Sequence, residues 1–358
     1  MTLPAQLDIR ETTPPALTYT IVTRSHFFLA AALAENFRES NPQGRFLIVV
    51  ADADDPTTGE PNWDWLASDH HGWLERISPG LPNGPENLRS ARQICPADFW
   101  KLAFQYTPLE LTCCLKGRVA DGLMRLGETR LLYLDADTRI YDSVEHCLAP
   151  LLPQGGILLT PHLQSPLPED ECYPNNVDLL RSGVFNGGVL GFVEPSAESR
   201  KVLEFLAWWN QCNRRHCIVD PHQGLFVDQG WLDQAAAYFP AVKISRHWGL
   251  NVGYWNLHDR HLARANGQWT ITPSPELTNG DSQDSSQPSR LQVFHFSGAS
   301  RTAPDGSSSC HRLSRHQNRH GLKKCPELAA LIDPFLASWG QHHLQHYESI
   351  PYHYRLLN

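Results

Sequence analysis

The sequence predicts an α/β fold in which a Rossmann-like, mostly parallel sheet is flanked by helices. Within residues 19–53, an apolar strand, a helix of apolar spacing and a second apolar strand follow one another. A strand–helix–strand unit of this length is a crossover, which makes its two strands parallel. Later apolar segments end in polar residues, as in LLYLDAD and VFHFSG. The carboxyl ends of such strands form the sheet edge at which ligands bind.

The first half of the chain supplies the crossover and then a helical region. We predict strands at Tyr19–Thr23 and Arg45–Ala53 around a helix over residues 26–40. Residues 54–95 are rich in Pro, Gly, Asp and Trp, which is typical of loops. Helical spacing over residues 98–126 is broken at Pro108, so two helices are expected there.

The second half repeats the alternation of strands and helices. We predict strands over residues 130–137, 155–162, 183–192 and 291–298. Helices are predicted over residues 198–215, over 224–239 with its opening near Asp228, and over 326–347 with an interruption at Pro334. Polar composition predicts a loose arm at residues 1–18, a flexible insertion at 273–290 and a mobile loop before the helical C-terminal segment within 301–358. The principal domain is therefore 19–300.

Bulk properties exclude several classes of protein. The 358 residues carry a net charge of −8, which argues against a nucleic-acid-binding face. The longest apolar run is too short for a transmembrane segment, and the N-terminal residues lack the pattern of a signal peptide. The nine cysteines are odd in number and scattered, which indicates reduced thiols. We therefore expect a cytoplasmic protein.

Two acids, Asp135 and Asp137, follow the apolar strand in LLYLDADT. Carboxylates one residue apart at a strand end can bind one cation, and oxygen ligands suit Mg²⁺ or Mn²⁺. They could also carry out acid–base chemistry, or be solvated in a loop, since Asp-X-Asp is common in loops. His295 in VFHFSG could complete a Mn²⁺ site, or be a hydrogen-bonded core histidine. Ser297 and Gly298 then offer backbone N–H groups to phosphate oxygens.

Two more motifs lie between these strands. Asn186 belongs to the glycine-rich FNGGVL, where a ligand could lie against the backbone, or where the glycines mark a bulge. Asp228 and Gln229, in FVDQGW, stand near a helix start. A ligand-binding pair and a simple N-terminal capping aspartate are both open interpretations there.

In chain order, the motifs DADT, FNGG, DQG and HFSG resemble those of the GT-A glycosyltransferases, most closely the family-eight glycosyltransferases and glycogenin. In those families a buried strand runs into Asp-X-Asp-Thr and is followed by Phe-Asn-X-Gly, Asp-Gln and His-Phe-X-Gly. The opening at residues 19–52 also resembles bacterial members. The resemblance covers residues 19–300. It implies a GT-A fold, a nucleotide-diphosphate sugar donor such as a UDP-hexose, and a Mn²⁺ or Mg²⁺ cofactor.

The resemblance also implies roles for the matched residues. Asp135, Asp137 and His295 would be the metal ligands, and Asp135 would also lie near the donor ribose. Asn186 and Asp228 would hold hydroxyls of the donor sugar or acceptor, with Gln229 near the reacting carbon. The remaining donor contacts would be Thr23 and Arg24 at the base, Lys116 with Arg118 as its partner or substitute, and Ser297 and Gly298. For Lys116 and Arg118, solvated helix charge is the alternative.

The implied reaction is hexosyl transfer with retention of the anomeric configuration, to a glycan, lipid or protein acceptor that the sequence does not specify. We favour front-side attack, because no second carboxylate is placed as a nucleophile. One departure concerns the Lys-Pro-Trp that follows His-X-X-Gly in family-eight members. The sequence here is HFSGASRTAPDG, in which Arg301 is the candidate for the missing lysine.

Other classes remain to be weighed. A haloacid-dehalogenase-type phosphatase also uses Asp-X-Asp, but Arg139 occupies the place of its Thr or Val, and the motif lies in mid-chain. A non-catalytic carbohydrate- or partner-binding protein could keep the fold. The set Cys310, His311, His316, His320 and Cys325 could bind zinc, although its irregular spacing favours an exposed loop.

Overall fold

The structure is a computed structural model that describes residues 15–70, 87–152, 154–196, 199–274, 288–300, 312–323 and 325–354. Most of the predicted arm and insertion lies outside the described residues. So does the segment 301–311, which contains Arg301, Cys310 and His311.

The secondary structure alternates strands and helices. The strands are β1 (Leu17–Val22), β2 (Arg45–Val50), β3 (Leu88–Ser90), β4 (Arg130–Leu134), β5 (Thr138–Ile140), β6 (Gly156–Pro161), β7 (Phe185–Val193), β8 (Val219–Asp220), β9 (Leu225–Phe226), β10 (Val242–Ile244), β11 (Arg260–Ala265), β12 (Gln268–Pro273), β13 (Ser289–Arg290) and β14 (Val293–His295). The α-helices are α1 (Phe27–Ser40), α2 (Ala91–Ile94), α3 (Phe99–Gln105), α4 (Pro108–Arg125), α5 (Asn176–Ser182), α6 (Lys201–His216), α7 (Gly230–Tyr238), α8 (Pro326–Gln341) and α9 (Leu344–Glu348). No helix within the described ranges is long and apolar enough to cross a bilayer.

A seven-stranded sheet in the order β10–β6–β7–β4–β1–β2–β3 forms the centre of the molecule. Strand β1 lies between β2 and β4 and is parallel to both. Strand β7 alone runs against its neighbours, β4 and β6. The first residues of β7 therefore lie at the same edge as the last residues of β4 and β6. The predicted α/β fold with a mostly parallel sheet is confirmed.

Both faces of this sheet are buried, because the strands β1, β2, β4, β6 and β7 are buried at nearly every position and their side chains point to the two faces in turn. In β2, Leu47 and Val49 join the core under α4 and α6, whereas Phe46 and Ile48 join the core under α1. The helix α4 begins at Pro108 with a capping box, in which Thr107 accepts from the N–H of Glu110 and the Glu110 carboxylate accepts from the N–H of Thr107. The predicted break at Pro108 is therefore the start of a new helix.

Three predicted elements differ in the structure. Residues 54–95 are not all loop, because β3 and α2 lie within them. The predicted helix over 224–239 begins only at Gly230, since Leu225–Phe226 pairs with Val219–Asp220 as a short hairpin. The helix α8 runs through Pro334 without interruption. The hydrogen bond that Pro334 cannot donate is offset by burial of the apolar face of α8, including Leu331 and Phe335.

The last described residues pack against the first crossover unit. Arg24 donates from Nη2 to the Pro351 carbonyl at 3.1 Å, and the His353 N–H donates to Asp52 Oδ2 at 3.3 Å. The Tyr354 side chain is fully buried, and its hydroxyl accepts from the N–H of Asp54. We call residues 349–354 the C-terminal strap. It covers the edge at which β1 and β2 end.

Candidate metal and active site

A small two-stranded sheet brings His295 to the aspartates at the end of β4. The chain turns after Leu134, and the Thr138 N–H and hydroxyl both donate to the Asp135 carbonyl, at 3.1 and 2.7 Å. Strand β5 then pairs antiparallel with β14, with His295 opposite Thr138. The Phe296 N–H donates to the Asp137 carbonyl at 2.8 Å. The backbone therefore fixes the imidazole beside the Asp-X-Asp turn.

The side chains of Asp135, Asp137 and His295 converge on one point. Nε2 of His295 lies 3.0 Å from Oδ1 of Asp137 and 3.8 Å from Oδ2 of Asp135. One ligand atom from each residue lies within 4.8 Å of the others, and among the described residues no other group of three or more meets this criterion. The carboxylates are 26% and 31% exposed, whereas the imidazole is 4% exposed. Two carboxylates and one imidazole, open on one side, suit a divalent cation.

The electrostatics of this trio show why a cation fits. Burial lowers the pKa of His295, but the nearby carboxylates of Asp137 and Asp135 outweigh burial and raise it. Burial raises the pKa of Asp137, but His295 outweighs it and lowers that pKa. Two anionic groups thus face one ring nitrogen, and positive charge between them is strongly favoured.

Lys116 of α4 lies beneath the trio. Its Nζ is 3.3 Å from Asp135 Oδ1 and 3.5 Å from Asp228 Oδ2, and it donates to the Gly187 carbonyl at 3.0 Å. Burial opposes its charge, yet Asp135 and Asp228 hold the pKa of Lys116 well above its usual value. Burial raises the pKa of Asp228, which is 1% exposed. Lys116 therefore links the DADT, FNGG and DQG motifs.

Asn186 and Gln229 form a second, uncharged cluster beside this ion pair. The Gln229 Oε1 accepts from the Gly187 N–H at 2.9 Å and from Asn186 Nδ2 at 3.3 Å. Its Nε2 donates to the Ser182 carbonyl at 2.6 Å. Both side chains are 7% exposed. The residue before the helix α7 is Gln229, and Asp228 does not cap that helix.

The two glycines of FNGG leave room for these side chains. A Cβ on Gly188 would lie 2.5 Å from Nδ1 of His295, and one on Gly187 would lie 3.0 Å from Oδ2 of Asp228. Such Cβ contacts are too short for the neighbours to stay in place. The glycine-rich motif is therefore required by the close approach of two functional side chains.

Thr23 and Arg24, which were predicted to contact the nucleotide base, bond to other parts of the protein. Thr23 bonds through its hydroxyl to Ser25 and His26, and Arg24 is buried, with its N–H on Asp52 Oδ1 at 2.7 Å. The guanidinium of Arg24 donates to the Pro351 carbonyl of the C-terminal strap, and the residue is 9% exposed.

Gly298 ends the HFSG turn with φ +72°, and its carbonyl accepts from the Arg315 N–H. Ser297, beside it, is half-buried. Arg118 follows Lys116 by two residues on α4, which places it on a different side of the helix, near Cys95 and Cys114. The structure does not bring Arg118 together with Lys116.

Three residues of the site were missed in the sequence. The Tyr133 hydroxyl donates to Asp135 Oδ1 at 2.5 Å. Asn251 and His162 both bond to Asn186. Tyr133 could have been found, because it shares a strand face with Asp135 at a spacing of two. His162 directly follows β6, and Asn251 lies outside the strands and helices. No periodicity in the sequence marks either residue.

Comparison with known proteins gives limited likeness. No family model matches the chain. The uncharacterized protein YfnF of Bacillus subtilis (strain 168) is 26% identical over 178 residues, which cover 47% of this chain and 49% of YfnF. The chain thus spans about half the length of this curated relative.

Three solved structures to which this chain is similar are glycosyltransferases. The galactosyltransferase LgtC, in complex with donor and acceptor sugar analogues, has a TM-score of 0.42 at 13% identity, covering 96% of this chain and 100% of LgtC. The apo form of GlyE from Streptococcus pneumoniae TIGR4 has a TM-score of 0.44 at 12% identity, covering 94% of this chain and 64% of GlyE. Mouse xyloside xylosyltransferase 1 has a TM-score of 0.39 at 10% identity, covering 78% and 97%. Similarity at this level does not define a family.

Proposed function

We propose that the protein is a GT-A glycosyltransferase that depends on Mn²⁺ or Mg²⁺ and transfers a hexose from a nucleotide-diphosphate sugar, such as a UDP-hexose. One observation carries the proposal. The motifs DADT, FNGG, DQG and HFSG, which lie far apart in the chain, meet at one edge of the sheet. Within DADT and HFSG, one ligand atom from each of Asp135, Asp137 and His295 lies within 4.8 Å of the other two.

The trio would hold the cation. The bound cation would act as a Lewis acid on the diphosphate leaving group. Asp135 and Asp137 would supply carboxylate oxygens, and His295 would supply Nε2. Ser297 and Gly298 stand two and three residues after His295, and their backbone N–H groups would be the HFSG donors for phosphate oxygens.

Lys116 would stabilise negative charge from beneath the site. Its ammonium already contacts Asp135 and Asp228 and is almost completely buried. Lys116 would hold the Asp135 carboxylate ionised and oriented, and would keep Asp228 charged in spite of burial. A charge of this kind acts strongly because the surroundings are dry.

The uncharged cluster would form the sugar side of the site. Gln229 is held by bonds to Gly187, Asn186 and Ser182, so its amide is fixed before a substrate arrives. Pre-positioned polar groups of this kind cost no reorganisation during reaction. Asn186, Asp228 and Gln229 would together orient the hexose and acceptor hydroxyls.

The acceptor would dock on the surface formed by the loops around the site, and a glycan, lipid or protein acceptor is compatible with the proposal. We place the reaction in the cytoplasm, a proposal that rests on the odd number and scattered positions of the cysteines.

The proposal is tested with a panel of UDP-, GDP-, ADP- and dTDP-hexoses, incubated with the protein and Mn²⁺ and scored for release of the nucleotide diphosphate. We expect release from one donor class, and loss of release when EDTA is added. Turnover of an aryl phosphate instead would indicate the phosphatase. Mn²⁺-dependent sugar binding without release from any donor would indicate a non-catalytic carbohydrate-binding protein.

A further inference from the structure

A chain of hydrogen bonds leads from a buried histidine to the candidate metal ligand. It begins at His162, whose Nδ1 lies 2.8 Å from the Gly183 carbonyl. A carbonyl can only accept, so this nitrogen carries the proton. Burial lowers the pKa of His162 to about 4, so the ring is neutral near pH 7. The other nitrogen, Nε2, is therefore an acceptor.

This tautomer fixes the amide of Asn186. The Asn186 Nδ2 faces His162 Nε2 and Gln229 Oε1, each at 3.3 Å, and donates to both. The Oδ1 atom accepts from the Gly188 N–H at 2.9 Å and from Asn251 Nδ2 at 3.0 Å. All four contacts agree on one orientation of the amide.

The amide orientation of Asn251 in turn determines which nitrogen of His295 carries the proton. Its Nδ2 donates to Asn186 Oδ1 and to the Thr160 hydroxyl at 2.7 Å, so its Oδ1 is the atom left to face His295 Nδ1, at 3.3 Å. An amide oxygen accepts only, so Nδ1 of His295 carries a proton. In a neutral ring, the lone pair is then on Nε2, the nitrogen that faces Asp137 and Asp135.

Packing holds the side chains of Asn251, His295 and His162 in this arrangement. Asn251 is fully buried and has φ +55°, a conformation that asparagine tolerates better than most residues. Trp255 packs at a right angle to His295, with ring centroids 5.2 Å apart, and its other contacts include the ring of His162 at 5.5 Å. Both imidazoles are thus held by the same indole.

We infer that Asn251 is a positioning residue that fixes His295 in the tautomer that binds metal through Nε2. Metal-binding histidines commonly donate their second N–H to an oxygen, and removal of that partner weakens metal binding 10- to 100-fold. The inference rests on the proposed function, because it assumes that the trio holds a cation. In this role Asn251 acts through His295, and it contacts neither the substrate nor the metal ion.

The experiment uses two substitutions that fit the backbone at residue 251. Asn251→Gly removes the amide and accepts the positive φ, and Asn251→Asp keeps an oxygen for the His295 N–H but has no donor for Asn186. Asn41→Ala is the control, since Asn41 is another buried amide, whose Oδ1 accepts from the Ser143 hydroxyl and the Val144 N–H, neither of which belongs to the site.

Mn²⁺ affinity is measured by calorimetry, and the histidine tautomers by ¹⁵N NMR of the Mg²⁺-loaded protein, with His295→Gln used for assignment. We expect a protonated Nδ1 on His295 in the metal-loaded wild type and in Asn251→Asp. We expect the Kd for Mn²⁺ to rise about 10- to 100-fold in Asn251→Gly and to stay unchanged in Asn41→Ala.

An unchanged Kd in folded Asn251→Gly, or an unprotonated Nδ1 of His295 in Asn251→Asp, would overturn the inference while leaving the metal site in place. A wild-type protein without affinity for Mn²⁺ or Mg²⁺ would overturn the metal site itself. The two failures are therefore distinct.

Discussion

Gly188 lies directly against the imidazole of His295, so that a Cβ on Gly188 would be 2.5 Å from Nδ1 of the ring. The substitution Gly188→Ala should therefore displace the imidazole, weaken Mn²⁺ binding and destabilise the fold by about 1–3 kcal/mol. Gly230→Ala is the matched control, since the nearest atom to its Cβ would be 4.0 Å away. Calorimetric titration with Mn²⁺ and urea denaturation measure both effects. Equal metal affinity in the two variants would contradict the packing argument.

Removal of one carboxylate should abolish the response to metal. Asp137→Ala leaves one acid and one imidazole, so we expect loss of nucleotide release and loss of the rise in melting temperature with Mn²⁺. Asp142→Ala is the control, because Asp142 pairs with Arg290 at 3.2 Å on the surface. Undiminished turnover in Asp137→Ala would refute its assignment as a ligand.

Lys116 and Arg118 should differ sharply although they share a helix. Lys116→Met leaves Asp135 and Asp228 without their buried counter-charge, and we expect a loss of about 3–5 kcal/mol in the free energy of unfolding. The double variant Lys116→Met, Asp228→Asn should recover part of this loss, because one buried charge is gone. Arg118→Met should leave nucleotide release nearly intact. Denaturant titrations measure the free energy of unfolding, and assays with the nucleotide-sugar donor measure release. A severe loss of release in Arg118→Met would support Arg118 as a donor contact.

Stability should fall in mild acid because of His70. Burial lowers the pKa of His70 to about 4, with help from His342 and His343, and its Nδ1 lies 2.5 Å from the Tyr347 hydroxyl. An unfolded histidine titrates near 6.5, so between pH 6.5 and 4 the unfolded chain binds more protons. The free energy of unfolding should then decrease as pH falls, by at most about 1.4 kcal/mol per pH unit for this group.

Melting temperatures between pH 7 and 4.5 measure this slope. The slope should be smaller in His70→Gln and unchanged in His222→Gln, since His222 is exposed. His162 contributes in the same direction, so part of the slope should remain. A steeper slope in His70→Gln would reverse the assigned sign.

Retention of configuration is the fifth prediction. Gln229 and Asn186 are committed to hydrogen bonds, and Asp228 is buried against Lys116, so none of them is arranged as an exposed nucleophile. We therefore expect front-side attack and a first-formed product with the anomeric configuration of the donor. Proton NMR of the product during the first turnovers reads this directly, and an inverted linkage would exclude it.

The parts of the site that follow β4 and lie at the end of β14 were predictable. Apolar runs ending in DAD and HFSG predicted strands whose last residues lie at the ligand-binding edge of the sheet. The structure brings Asp135, Asp137 and His295 together there. The pairing that joins them could not be read in advance. Strand β14 pairs with β5 outside the main sheet, and such pairing depends on tertiary contacts rather than on periodicity.

The parts of the site supplied by irregular chain were not predictable. Asn251 lies in a loop with positive φ, and the meaning of its amide depends on Asn186 and His295, which are distant in sequence. Arg24 stays a predicted contact of the nucleotide base, and its bond to Pro351 of the C-terminal strap had no signal in the sequence. A single residue pattern cannot show that another segment will occupy the space beside it.

The C-terminal strap also has a consequence for synthesis of the protein. The contact between Arg24 and Pro351 spans 327 residues of sequence, and Asp52 and Asp54 share in the same closure. While a ribosome is still translating the chain, the first crossover unit lacks these partners: the buried Asp52 carboxylate is without the His353 N–H, and the Asp54 N–H is without the Tyr354 hydroxyl. We expect nascent chains to remain sensitive to protease around residues 24–54 until residues 349–354 have left the ribosome and can pack against this edge.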